Sequence, residues 1–454
     1  MAVSSWRNIL MRLPRKIYQP QRTFWTAVVV AAFVGSLALM PQQAASAWTV
    51  GDPIVTYWAG PGFDGTVPLT DAVAEQMVDV GMNVVWAASE AEVDLAWRHG
   101  LRTIYQNRSV LLPQNLDDPK MRPVLDRVVA GLRGRPGFYG YHIRDEPSAA
   151  LFGELGQLVN YLRQRDPNHL ARINLFPSNV EPLTMGAPDY ATYLNHFINT
   201  VQPSLLSYDF YQFHTTYDHK AYLQSLGIIR QKAKSTGLPF MNFVQASKWA
   251  PDIRIPNSNE ERFLAYTTLA HGAQGIGYYV WSWPEHEGGI VDSNGTPTAI
   301  YNTLKSTNRE FVAIAKQYQS LKSIGVYLKG YSSGHLPPGT TLLPGDSPFD
   351  IGSVSNNRTY SDGDPLKGVL FGFFDKDGTT LTDATFALVV NLDASTNLTY
   401  TITGPGNLSV FDAATGTWTA TGHNDATLHL LPGGGALVGL TSAVPEPSRV
   451  NARQ

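Results

Sequence analysis

The chain has 454 residues, 43% of them hydrophobic and 16% charged, with a formal net charge of −3. This is an ordinary globular composition, long enough for two or three domains, and its charge leaves no nucleic-acid footprint. There is no cysteine, which excludes disulfides, thiolate catalysis and cysteine-ligated zinc.

Residues 1–47 read as an export segment. Arg7, Arg12, Arg15, Lys16 and Arg22 precede an uncharged apolar run from Phe24 to Met40, and Ala45-Ser46-Ala47 supplies a small-residue cleavage site. The mature chain is expected to start near Trp48, with no membrane span. It belongs outside the bacterial cytoplasm: periplasmic, secreted or on the cell surface.

From Asp52 to about Ser320, apolar strands alternate with amphipathic helices. The strand candidates are Pro53–Trp58, Met82–Ala87, Leu101–Gln106, Gly137–Ile143, Ala171–Phe176, Leu205–Tyr211, Leu238–Val244 and Gly275–Trp281. Several are apolar without alternation, as strands buried on both faces should be. Ser89-Glu90-Ala91-Glu92 and Ser258-Asn259-Glu260-Glu261 are capping patterns, and Gly81, Gly100 and Gly237 fall where helices should stop. Eight such units match an α/β fold, the (β/α)₈ TIM barrel, over residues 48–324. After Ser320 helical periodicity vanishes. Short strands around Gly368–Phe374, Thr385–Asn391, Leu398–Thr403, Leu408–Phe411 and Ala426–Leu431, with turns such as Asp375-Lys376-Asp377-Gly378, predict a small all-β sandwich over 325–442. Residues 443–454 read as a disordered proline-rich tail. Its Val444-Pro445-Glu446-Pro447-Ser448 is similar to the start of bacterial exosortase sorting tails, without the hydrophobic segment that follows in them.

In such a barrel the C-terminal strand ends hold the active site. The fourth strand ends in Arg144-Asp145-Glu146-Pro147, and adjacent carboxylates there are costly to bury and useless for packing. Glu146 is the first candidate for a catalytic acid. The sixth strand carries Tyr208-Asp209-Phe210-Tyr211, which makes Asp209 the second. The remaining ends gather Asp145, Trp58, Trp86, Gln106, Asn107, Asn174, Tyr208, Tyr211, Gln245, Trp281, Trp283 and Glu285 as substrate-binding candidates. Aromatic faces pack on sugar rings, amides pair with sugar hydroxyls, and carboxylates do acid–base work. A carbohydrate partner is expected. No glycine-rich phosphate cradle follows a strand and no Gly-x-Ser-x-Gly elbow precedes a helix, so no cofactor is implied. His286 between Glu285 and Glu287 does not define a metal geometry, and no metal is expected.

The barrel resembles the retaining glycoside hydrolases of the clan that includes family 42 β-galactosidases. Asp145-Glu146-Pro147 is similar to their Asn-Glu-Pro, so the resemblance implies a general acid/base role for Glu146. Asp145 replaces the clan's Asn. The clan also ends its seventh strand in a nucleophilic Glu, where this chain has Gln245. Asp209 is the best substitute, as nucleophile, base or stabiliser, and Tyr208-Asp209 is similar to the strand-six pair of family 18 chitinases. The implied activity is a secreted glycoside hydrolase. A non-catalytic carbohydrate-binding barrel, a substrate-assisted hexosaminidase-type hydrolase, and a lyase or metal-assisted hydrolase are the alternatives.

Overall fold

The computed structural model describes residues 48–352 and 359–445. The expected export segment and the tail from Glu446 onward lie outside the described residues. Eight strands alternate with eight main helices. The strands are β1 (Ile54–Trp58), β2 (Val84–Ala87), β3 (Arg102–Tyr105), β4 (Phe138–Asp145), β5 (Leu170–Leu175), β6 (Leu206–Asp209), β7 (Phe240–Gln245) and β8 (Gly275–Tyr279). The helices are α1 (Asp71–Asp79), α2 (Glu90–Arg98), α3 (Arg122–Leu132), α4 (Phe152–Arg165), α5 (Tyr190–Val201), α6 (Tyr222–Thr236), α7 (Ser258–Ala270) and α8 (Tyr301–Tyr318).

The strands pair in parallel in the order β1-β8-β7-β6-β5-β4-β3-β2. All eight C-terminal ends therefore open on one face, which is the geometry of a (β/α)₈ barrel. Side chains complete the seam between β1 and β2. Asn83 accepts from the Val55 N–H at 2.9 Å through Oδ1 and donates to the Pro53 carbonyl at 2.7 Å through Nδ2. Its own backbone N–H reaches the Val55 carbonyl at 3.1 Å. One turn above, the Trp86 indole N–H bonds the Tyr57 carbonyl at 2.7 Å.

The capping signals act locally. Ser89 accepts the Glu92 N–H at 3.3 Å, while the Glu92 carboxylate turns to the Leu69 and Ala88 N–H groups. The second capping box starts one residue earlier than expected: Asn257 and Glu260 exchange the two bonds. That shift sends Glu261 into the interior, fully buried.

The chain then builds two antiparallel sheets from β9 (Lys322–Lys329), β10 (Asp350–Ile351), β11 (Val369–Asp375), β12 (Phe386–Asn391), β13 (Leu398–Thr403), β14 (Leu408–Asp412), β15 (Thr417–Ala420), β16 (Asp425–Leu430) and β17 (Gly435–Leu440). One sheet has the order β9-β11-β12-β17-β14-β15, the other β10-β13-β16. The period of two on β11 buries both faces. Phe371 and Phe373 join Phe349, Ile402 and Leu428 between the sheets, whereas Leu370 and Phe374 join the barrel's core. A Cβ on Gly372 would lie 2.1 Å from the Ala270 carbonyl. Only glycine lets β11 sit this close to α7. Tyr318 of α8 stacks on Phe374 at 4.7 Å.

Asn83→Ala is expected to destabilise the protein by about 1–3 kcal/mol, because it strands the Val55 N–H and the Pro53 carbonyl at the barrel seam. Denaturant unfolding of the variant measures it, and an unchanged midpoint would mean the seam does not depend on this side chain.

Candidate active site

β4 delivers Asp145 and Glu146 to the open face, β5 delivers Asn174 and β6 delivers Asp209. Asn174 holds the group together. Its Nδ2 donates to Asp209 Oδ1 at 2.8 Å and to Asp145 Oδ1 at 3.2 Å. Its Oδ1 accepts from the Ser207 hydroxyl at 2.8 Å, which fixes which end of the amide faces the acids. Its carbonyl accepts the Glu146 N–H at 2.9 Å.

Glu146 has φ +41°, a left-handed backbone that side-chain-bearing residues rarely adopt. It is clamped on both sides. The Asn174 bond holds its N–H, and the Tyr193 hydroxyl bonds the next carbonyl, that of Pro147, at 2.8 Å. Pro147 itself disfavours the right-handed helical alternative at Glu146. The turn aims the carboxyl back into the barrel mouth.

A cavity of about 210 Å³ opens there, lined by Trp58, Asp145, Glu146, Asn174, Asp209, Tyr211, Phe243, Trp249 and Tyr279. One wall is aromatic. Tyr211 lies 4.7 Å from Trp249 and 5.2 Å from Tyr279, and Trp249 lies 4.8 Å from Tyr279. His286 extends this wall, its Nε2 3.1 Å from the Tyr279 hydroxyl. On the barrel's inner side, Arg172 is fully buried. Its guanidinium lies 4.7 Å from the Trp86 ring, 5.1 Å from Phe243 and 5.3 Å from Trp58. Burial lowers its pKa to about 9, against the pull of Asp145, so it remains a cation at neutral pH. His142 beside it is held neutral by burial and by the Arg172 and Arg108 charges.

The carboxyls are tuned upward. Burial and the neighbouring Asp145 charge raise Glu146 to about 7. Burial raises Asp145, against the Asn174 bond and the charges of Arg172, Arg108 and Arg144. Asp209 is the deepest, and burial followed by the Glu146 and Asp145 charges pushes it well up. Hydrogen bonds distinguish Asp209 from Glu146. Asn174 donates to Asp209, and it and the nearby Tyr211 hydroxyl favour its ionised form, while no donor among the described residues reaches the Glu146 carboxyl. The two carboxyls therefore share protons while being held differently.

Of the residues singled out in the sequence, Glu146, Asp209, Asp145, Trp58, Asn174 and Tyr211 come together around this cavity. Gln106 lines an adjoining one. The others are placed elsewhere. Tyr208 alternates to the opposite side of β6 from Asp209 and is fully buried. Trp86 and Trp281 are core residues at 1% exposure each. Asn107 caps its own loop through the Ser109 and Val110 N–H groups. Trp283 packs edge-on against Phe63 at 5.9 Å, and Glu285 is exposed on its loop. Gln245 is fully buried; its amide accepts from the Phe213 N–H and donates to the Phe213 and Arg254 carbonyls. It ties two loops together, and β7 instead offers Phe243 to the cavity. Trp249, Phe243 and Tyr279 were not singled out as site residues. Tyr279 could have been found by counting alternate residues along β8, since it is that strand's last residue.

The sequence matches no protein-family model, and comparison with curated proteins finds no match. Solved structures are similar in fold. A glycoside hydrolase aligns at TM-score 0.50 with 10% identity over 86% of this chain and 93% of that one. The chain shares its barrel fold. A family 42 β-galactosidase from G. stearothermophilus aligns at TM-score 0.47 and 9% identity, over 85% of this chain and 98% of that one. A β-galactosidase from the psychrophilic Marinomonas ef1 aligns at 0.39 and 11%, over 54% of this chain, which spans 57% of that enzyme.

The raised Glu146 carboxyl has a consequence for stability. An unfolded chain loses this proton near the ordinary value of 4.5 and the native state near 7. Native Glu146 thus costs stability as pH rises through that window, and the full cost is present above it. Glu146→Gln should therefore be more stable than the parent at pH 8, with the advantage shrinking toward pH 4. Urea midpoints across that range test this; a constant offset would contradict it.

Proposed function

We propose that the chain is a glycoside hydrolase, exported from a bacterial cell, that cleaves an O-glycosidic bond of a poly- or oligosaccharide. The observation that carries this reading is the pairing of two differently held carboxyls on one cavity. Glu146 faces it with no donor among the described residues and a pKa near neutrality, and Asp209 faces it bonded by Asn174. Two carboxyl groups kept in opposite protonation states are the equipment for acid-assisted departure of a sugar. Glu146 protonates the leaving oxygen as the glycosidic C–O bond breaks. Asp209, ionised between Asn174 and Tyr211, faces the positive charge that develops at the anomeric carbon. Water completes the hydrolysis, and its proton returns to the carboxylate pair.

The aromatic wall supports the same reading. Tyr211, Trp249 and Tyr279 present faces on which the C–H side of a sugar ring packs. The shared barrel fold of the glycoside hydrolase at TM-score 0.50 agrees with it. The seventh-strand position of the resembling clan holds Gln245, and its amide is engaged in tying loops. The second carboxylate is therefore assigned to Asp209.

Hydrolysis of a broad glycan and aryl-glycoside panel by the mature protein tests the proposal. Glu146→Gln and Asp209→Asn should each lose on the order of 10²–10⁴-fold in kcat with folding retained. Glycans bound but cleaved by no form would overturn hydrolysis and leave a binding barrel.

The pH profile gives a second test. Activity should fall as pH rises through about 7, where Glu146 loses its proton. Asp145→Asn removes the charge that helps hold that proton, so the descending limb of kcat/KM should move to lower pH. A limb that stays in place would separate Glu146 from the acid role.

A further inference from the structure

A second cavity, of about 350 Å³, adjoins the first and shares Trp58 and Asp145 with it. Its other lining residues are Gln106, Arg108, Leu112, His142, Ile143 and Arg144. The chemistry changes across the shared wall. The first cavity holds three carboxyls and an aromatic wall; the second keeps one of those carboxyls, Asp145, and adds two guanidinium groups.

Neither arginine is spent on an ion pair. Arg108 and Arg144 both act on Asp145 through its charge, yet neither lies within ion-pair distance of any acid among the described residues. The Arg108 guanidinium carbon lies 5.6 Å from the Phe63 ring. Asp145 itself is occupied by Asn174. His142, the other titratable group in the lining, is neutral, and the buried Arg172 behind it adds a third cation. Gln106 is 4% exposed and leaves its carbonyl oxygen without a partner. A buried amide with unused hydrogen-bonding capacity is costly unless something completes it.

From these observations we infer that the substrate carries an anionic sugar, bearing a carboxylate or a sulfate ester, and that Arg108 and Arg144 receive its charge in this second cavity. The inference rests on the glycosidase reading and narrows its substrate class. The ring beside Glu146 and Asp209 packs on the aromatic wall. The neighbouring ring, across or beside the scissile bond, places its anion on the arginines and a hydroxyl within reach of Gln106. A guanidinium fork suits the planar oxygens of a carboxylate and the oxygens of a sulfate alike. The same field disfavours a positively charged aminosugar there.

Paired substrates test this. Oligosaccharides containing glucuronate, galacturonate or mannuronate are assayed alongside their carboxyl-reduced forms, and sulfated galactan oligosaccharides alongside desulfated ones. Binding to the Glu146→Gln protein is measured by calorimetry, and turnover with the parent protein. At least one acidic member should bind about tenfold or more tighter than its neutral partner, with the gap narrowing as salt rises. Which pair shows the gap separates uronate from sulfate. Arg108→Gln and Arg144→Gln should each shrink that gap, chiefly through KM in turnover. Neutral members preferred in every pair, no binding of any acidic member, or a gap untouched by both substitutions would overturn the inference. Acidic glycans bound through the arginines but never cleaved by the parent would instead overturn the hydrolase reading alone.

Discussion

Two carboxyl groups share one amide and a third faces the same cavity, and the rest of the site follows from that constraint. Asn174 can donate two hydrogen bonds, and both go to acids, Asp209 and Asp145. Ser207 occupies the oxygen of the same amide and prevents it from turning over. Carboxylates this close cannot all ionise at neutral pH, so they must share protons. The donors are unevenly shared: Asn174 serves Asp209, and none among the described residues serves the Glu146 carboxyl.

The scaffold absorbs the cost of that arrangement. Glu146 adopts a left-handed backbone, which costs of order 1–3 kcal/mol; the Asn174 and Tyr193 bonds hold it there. Phe243 needs the space above Gly277, where a Cβ would lie 2.2 Å from the ring. Arg172 places a cation beneath the acids, and the faces of Trp58, Trp86 and Phe243 stand in for the water it has lost. The floor of the site is thus a charge stabilised by rings, and the ring under the first cavity also forms the wall of the second. Trp58 belongs to both.

Much of the fold was legible because barrel strands are buried on both sides and read as continuous apolar runs. All eight expected strands occur, displaced by at most two residues at either end. The β-region was less so. β15, exposed along most of its length, carries little apolar signal, and β17 begins inside the Gly433-Gly434-Gly435 run that reads as a turn. At the site, the acids were legible because a carboxylate at a strand end has few structural uses. The aromatics were not separable by type. Trp86, Trp281 and Tyr208 are core residues, while Tyr279 and Trp249 line the cavity. The difference lies in which face of a strand each occupies and in the course of the loop after β7. Neither is encoded by residue type. Gln245 illustrates the same limit: its position suggested a substrate contact, and only the path of the Phe213 and Arg254 loops shows its amide already engaged.

The central claim is that Glu146 keeps its proton at neutral pH while facing a second carboxyl held by donors. Titration of the side-chain carboxyl carbons by NMR, in the parent protein and in Glu146→Gln, tests it most directly. The account predicts one glutamate carboxyl that titrates near 7 and disappears in the variant. A spectrum in which the Glu146 resonance titrates near 4.5, as an ordinary exposed glutamate does, would contradict it.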